Sequence, residues 1–178
     1  MGKGSSFERQ ISKKLSLWVS NNERDDIYWR SHSSGARYTI RKKLGKDTEG
    51  QDADLTCTSK NPDYIILTDK LSIECKAYKD INFWNFITET KTGVSAFWEQ
   101  AVNQAEQANK LPVLIAKKNN MPILFFCNNT LQKLIRRELK LKEIIKIEYK
   151  KRPIYVYKLE DILKLNYNNL LSFLKNIN

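Results

Sequence analysis

Glu74 and Lys76 stand two residues apart in the stretch LSIECKAY, Leu71–Tyr78. Apolar and polar residues alternate there. The pattern predicts a β-strand with Leu71, Ile73, Cys75 and Ala77 on one face and Ser72, Glu74, Lys76 and Tyr78 on the other. A carboxylate and an ammonium then project from one face, about 6.6 Å apart along the strand. Further acids lie upstream at Asp52, Asp54 and Asp63. If one of them folds back beside Glu74, two carboxylates and a main-chain carbonyl form a hard, oxygen-only cradle. Such a cradle suits Mg²⁺, which keeps several of its waters. A metal held there lowers the pKa of a bound water and neutralises charge developing on a phosphate. The lysine is placed to orient the attacking water or to stabilise transition-state charge. Together these groups are equipped to hydrolyse a phosphodiester. The plainer reading of the same two residues is an exposed ion pair, worth at most about 1 kcal/mol.

The rest of the chain must position these groups. Ser5–Ser20 reads as an amphipathic helix with Phe7, Ile11, Leu15 and Trp18 at helical spacing, and Glu8 lies beside that stripe. DIYWRS reads as a short strand with Ile27 and Trp29 sharing a face, and ADLTCTS as another. DYIIL and LSIECKAY read as two strands joined at Thr68–Asp69, and a tight turn there would set Asp63 opposite Glu74. Residues 94–109 form the clearest helix, with Val94, Phe97, Trp98, Ala101, Val102, Ala105 and Ala108 on one face. PVLIAKK is a continuous apolar run typical of a buried strand, and PILFFC follows as another. A short helix in NNTLQKLIRREL, strands in IIKIEY and IYVYKL, and one or two helices over 160–176 complete the chain. The order predicts an α/β fold with a mixed central β-sheet flanked by helices.

With 178 residues, the chain has the length of one domain with a sizeable core. No run of about 18 apolar residues predicts a membrane span, and MGKGSSFERQ lacks the apolar core of a secretory signal. Cys57, Cys75 and Cys127 show no paired metal spacing, and the lone His32 makes a Cys/His zinc site improbable. Reduced thiols in a cytoplasmic protein follow. Thirty-one Lys and Arg against 20 Asp and Glu give a formal charge of +11, the strongest bulk signal for a polyanionic partner. Part of that charge falls in a long polar stretch, 33–50, which holds Ser33, Ser34, Arg37, Arg41, Lys42, Lys43 and Lys46. These cations and hydroxyls are suited to gripping phosphates beside a cut. A second basic run, Lys133, Arg136, Arg137, Lys140 and Lys142, reads more simply as a solvated helix face.

The sequence resembles the PD-(D/E)XK nuclease superfamily, with IECK matching its glutamate-x-lysine element. The ordered segments SFERQISKKLSLW, ERDDIYWRSHSSGAR, GQDADL, SIECKAYKDINF and FWEQAVNQAEQANKLPVLIAKK are most similar to phage-type Holliday junction resolvases. The resemblance implies a restriction-endonuclease-like αβββαβ core over about residues 5–127. The basic loop 33–50 is inserted in it, and 128–178 extends it within a single nuclease domain, 1–178. It implies Asp54, Glu74 and the Cys75 carbonyl as metal ligands, with Asp63 of the Pro62–Asp63 pair as the alternative to Asp54. Lys76 would assist the water, with Glu8 and Gln100 as further site residues. Gln104, one turn on, reads more simply as helix surface. The implied activity is Mg²⁺-dependent cleavage of branched DNA, with Mn²⁺ substituting, by a homodimer in the host cytoplasm. The products would carry 5′-phosphate and 3′-hydroxyl ends. Another nuclease of the same superfamily, or a DNA-binding protein with a vestigial site, are the rival expectations.

Overall fold

In the computed structural model the residues described are 3–31, 53–139 and 143–177. Helix α1, Lys3–Val19, buries Phe7, Ile11, Leu15 and Val19, the i, i+4 stripe expected of an amphipathic helix. A second stripe is made of small polar residues. Ser12, Ser16 and Ser20 are buried, and Ser16 Oγ accepts a hydrogen bond from the Tyr28 amide at 2.9 Å. Their small side chains let strand β1, Tyr28–Arg30, lie close against the helix. Asn21 and Asn22 end α1 in the left-handed region, φ 52° and 69°, which asparagine tolerates better than most residues. β1 pairs antiparallel with β2, Leu55–Cys57, with Tyr28 opposite Cys57.

Helix α2, Pro62–Lys70, follows where a strand was expected. Its start is chemically explicit. The Asn61 side chain accepts from the Asp63 amide at 2.9 Å, and Pro62 occupies the first turn, where its missing N–H costs nothing. The expected hairpin between DYIIL and LSIECKAY therefore does not form. α2 runs straight into β3, Leu71–Tyr78.

Strand β3 is one edge of a five-stranded sheet. It pairs parallel with β4, Leu111–Lys118, placing Glu74 beside Leu114. The crossover between them carries a short helix α3, Trp84–Ile87, and the long helix α4, Gly93–Gln107. β5, Ile123–Cys127, pairs antiparallel with β4. β7, Arg152–Lys158, pairs antiparallel with β5, and β6, Ile145–Tyr149, closes the far edge. Helix α5, Asn129–Leu139, precedes β6, while α6, Leu159–Ile162, and α7, Tyr167–Lys175, follow β7. The sheet order is β3-β4-β5-β7-β6. This is a mixed α/β architecture consistent with a restriction-endonuclease-like core.

Two apolar layers hold the sheet. On one face Ile73, Cys75, Val113 and Ile115 meet Ile11 and Leu15 of α1 and Leu170 and Leu174 of α7. On the other, Leu114, Ala116 and Phe126 meet Trp98 and Ala101 of α4 and Phe86 of α3. Within β1 the phase is shifted from the expected one. Ile27 and Tyr28 are both buried and Trp29 is 49% exposed, because the Tyr28 amide docks on Ser16 and turns the next side chain outward. Cys57, Cys75 and Cys127 are free thiols.

Candidate active site

The outer edge of β3 would be a row of unpaired peptide groups. The chain around Asp54 covers part of that row. The Asp54 amide donates to the Ile73 carbonyl at 3.1 Å, and Asp54 Oδ2 accepts from the Cys75 amide at 2.8 Å. Asp54 is thereby fixed against the strand that carries Glu74, and it is only 5% exposed. Its own carbonyl accepts from the Ser31 amide at 2.7 Å, tying the β1–β2 ribbon to the same place. The Cys75 amide points to this open edge, and in an extended strand the carbonyl of the same residue points the same way. The Cys75 carbonyl and the Asp54 carboxylate thus share one side of β3.

Glu74 and Lys76 project toward α4. The bland expectation of a water-facing pair is not met, because Glu74 is 1% exposed. Its Oε1 accepts from the Lys76 ammonium and from Gln100 Nε2 of α4, the latter at 2.8 Å. Its Oε2 is buried with no protein hydrogen-bond partner among the described residues. Burial and the neighbouring Asp54 carboxylate raise the pKa of Glu74 to about 7, against the pull of Lys76. Asp54 is also raised, first by burial, although the Cys75 amide opposes the shift. Burial works against the charged form of Lys76, yet the attraction of Glu74 outweighs it and its pKa rises. Lys76 therefore stays an ammonium at neutral pH. It also lies 5.9 Å from the centre of the Phe97 ring.

Glu8 reaches this group from α1. It is no solvated helix residue: its side chain is 13% exposed and lies 3.1 Å from Arg30 Nε of β1. Burial and Asp54 raise its pKa, so its charge is felt at the Asp54–Glu74 pair. Arg30 is absent from the sequence expectation. The available signal was its position two residues after Tyr28, on the inward phase of β1. Gln104, expected at the surface, has a buried Oε1 with no hydrogen-bond partner among the described residues, and the same holds for Ser72 Oγ on the same face of β3 as Glu74.

Asp63 is elsewhere. It sits in the first turn of α2 and its carboxylate pairs with Lys175 of α7 at 2.8 Å. Because residues 62–70 are helical, the tight turn that would have set Asp63 opposite Glu74 does not form. Asp52, Ser33, Ser34, Arg37, Arg41, Lys42, Lys43 and Lys46 lie outside the described residues.

Among the described residues no group of three or more His, Cys, Asp and Glu side chains is placed to hold a metal ion. The oxygens at hand are the neighbouring Asp54 and Glu74 carboxylates, with Glu74 Oε2 buried and without a partner among the described residues, and the Cys75 carbonyl on the Asp54 side of β3. Mg²⁺ characteristically takes one or two carboxylates and completes its shell with water and substrate phosphate, so this donor set fits it. A soft-metal site would instead need thiolate or imidazole ligands.

An α/β sheet with an edge strand carrying Glu-x-Lys, and an aspartate docked on that edge, defines the PD-(D/E)XK class of nucleases. The chain matches, over residues 1–172, the family model described as "Phage putative PDDEXK endonuclease". It belongs to that phage endonuclease family. No curated protein and no solved structure gives a significant match.

Proposed function

We propose that this protein is a divalent-metal-dependent DNA endonuclease whose site is Asp54, Glu74 and Lys76, supported by Glu8 and Gln100. The observation that carries the reading is the buried Glu74 carboxylate. Its Oε1 is held by Lys76 and Gln100, its Oε2 has no partner among the described residues, and Asp54 stands beside it. Two neighbouring carboxylates removed from water, with one pKa near 7, are costly unless something positive joins them. Asp54, Glu74 and the Cys75 carbonyl would hold Mg²⁺, with Mn²⁺ as substitute. Once bound, the metal would supply a water of lowered pKa and a counter-charge for the phosphate.

The protein's own side chains supply the rest. Lys76, kept protonated by Glu74, offers N–H donors and a positive charge where negative charge builds up on the reacting phosphate. Gln100 fixes the Glu74 rotamer through one oxygen and leaves the other free. Arg30 neutralises Glu8 at the rim of the site.

As substrate we propose branched DNA, a four-way junction above all, following the resolvase-like order of the sequence segments. Symmetric resolution of a junction needs two cuts and hence a homodimer. The basic segment 33–50, through Ser33, Ser34, Arg37, Arg41, Lys42, Lys43 and Lys46, is proposed to grip the flanking phosphates. No helix among the described residues is long and apolar enough to cross a membrane, and action in the host cytoplasm is part of the proposal. The test compares labelled four-way junctions with linear duplex in Mg²⁺, Mn²⁺ and EDTA, using wild type, Glu74→Ala, Lys76→Ala, Asp54→Asn and Asp63→Asn. The expected result is metal-dependent cleavage, preferring junctions, that survives only in wild type and Asp63→Asn. Equal cutting of both substrates rejects the junction preference. Binding without cleavage in either metal rejects the enzyme.

A further inference from the structure

We propose that the open cleft at the C-terminal ends of β3 and β4 is a phosphate-binding subsite for the DNA strand running through the active site. The inference rests on the nuclease reading above and adds to it the direction in which the substrate strand leaves. The cleft encloses about 510 Å³ and is lined by Ser6, Phe7, Gln10, Ala77, Tyr78, Lys79, Lys117 and Asn119. Its floor is the end of the parallel strand pair, and its wall is the first turns of α1. In open α/β sheets, ligands favour the crevice outside the carboxyl ends of the strands.

Three observations point to backbone phosphates. The first is charge. Lys79 and Lys117 both line the cleft, no carboxylate lines it, and neither lysine has an ion-pair partner among the described residues. The neighbouring Lys118 is instead paired with Asp80 at 2.6 Å. Two like charges facing one space repel each other unless an anion lies between them. The second is donor chemistry. The Ser6 hydroxyl and the amides of Gln10 and Asn119 can all donate to phosphate oxygens. The third is continuity. Phe7 of the cleft wall precedes Glu8 on α1, and Glu8 is close enough to Asp54 and Lys76 to feel their charge, so the cleft adjoins the site on its α1 side. Lys79 lies three residues beyond Lys76, about 10 Å along the chain. That distance is on the scale separating nearby phosphates of one DNA strand, so the cleft can meet a phosphate close to the reacting one.

The experiment measures DNA binding in EDTA as a function of salt, so that no cleavage intervenes. It uses wild type, Lys79→Gln/Lys117→Gln, and a control of equal charge, Lys14→Gln/Lys60→Gln. For duplex DNA, every phosphate that the protein no longer neutralises makes the log–log salt dependence shallower by about 0.9. The expected result is a slope shallower by about one to two in the cleft variant and unchanged in the control. A cleft variant with the wild-type slope, or a control that falls as far, overturns the subsite. If wild type still cuts DNA with Mg²⁺ in that case, the nuclease reading stands without it. If wild type neither binds nor cuts, the nuclease reading fails, and the subsite with it.

Discussion

Two carboxylate–lysine pairs in this molecule share the same chemistry and behave in opposite ways. Glu99 of α4 accepts from Lys150 and from the Tyr149 hydroxyl, the latter at 2.6 Å, near the rim of the sheet's α4 face. Those hydrogen bonds outweigh a weak burial effect and lower its pKa. Glu74 also pairs with a lysine, yet its pKa rises to about 7, because burial and the Asp54 carboxylate exceed what Lys76 returns. An ion pair at the surface settles a charge. A buried pair with a second carboxylate beside it leaves negative charge unsettled, and that excess is what a divalent cation can answer.

Neutralising each glutamate in turn tests this contrast most directly. Glu74→Gln is expected to lower the single-turnover cleavage rate by on the order of 10²–10³-fold or more, while Glu99→Gln cuts like wild type. If Glu99→Gln is equally inert, the burial distinction carries no function. Saturating Mg²⁺ is expected to raise the melting temperature of wild type, a linkage effect independent of turnover, and Asp54→Asn is expected to abolish that rise. Asp63→Asn should keep that rise in a thermal melt. Gln100→Ala leaves the proposed ligands Asp54 and Glu74 in place but frees the Glu74 rotamer. Metal affinity measured by titration calorimetry should then weaken about 10–100-fold.

The two glutamates should also leave opposite marks on stability against pH. In the folded chain Glu74 keeps its proton up to about pH 7, against an ordinary value of 4.5. Folding therefore takes up a proton between these values, and stability falls as pH rises from about 4.5 to about 7. Glu74→Gln should flatten that fall in denaturant melts. Glu99, with its pKa lowered, contributes stability that is complete above its ordinary value of 4.5 and lost as pH falls through its folded value. The smallest effect is expected for Lys150→Gln, which should leave cleavage unchanged and the melting temperature nearly so, because exposed ion pairs contribute little.

The facing of several candidate site residues was legible because its signals are local. The alternation in Leu71–Tyr78 placed Glu74 and Lys76 on one face, and the apolar stripe of residues 94–109 placed Gln100 on a long helix. Asp54 and Asp63 could not be separated by the same means. Both are acids ahead of the strand, and the choice depended on whether 62–70 was extended or helical. The Asn61 cap and Pro62 favoured a helix, but the β-prone run Tyr64–Leu67 masked that signal. Arg30 was missed because its partner, Glu8, is 22 residues away on another element.

Most of the elements, the shared facing of Glu74 and Lys76, and the excess of positive charge were set by the amino-acid order alone, since periodicity and composition are properties of neighbouring residues. Three outcomes waited on the folded chain: that Glu74 is buried, that Asp54 caps the open edge of β3, and that Asp63 belongs to Lys175. They depend on which edges the sheet leaves open and what packs over them. Burial and the meeting of like charges arise only when distant segments share a volume.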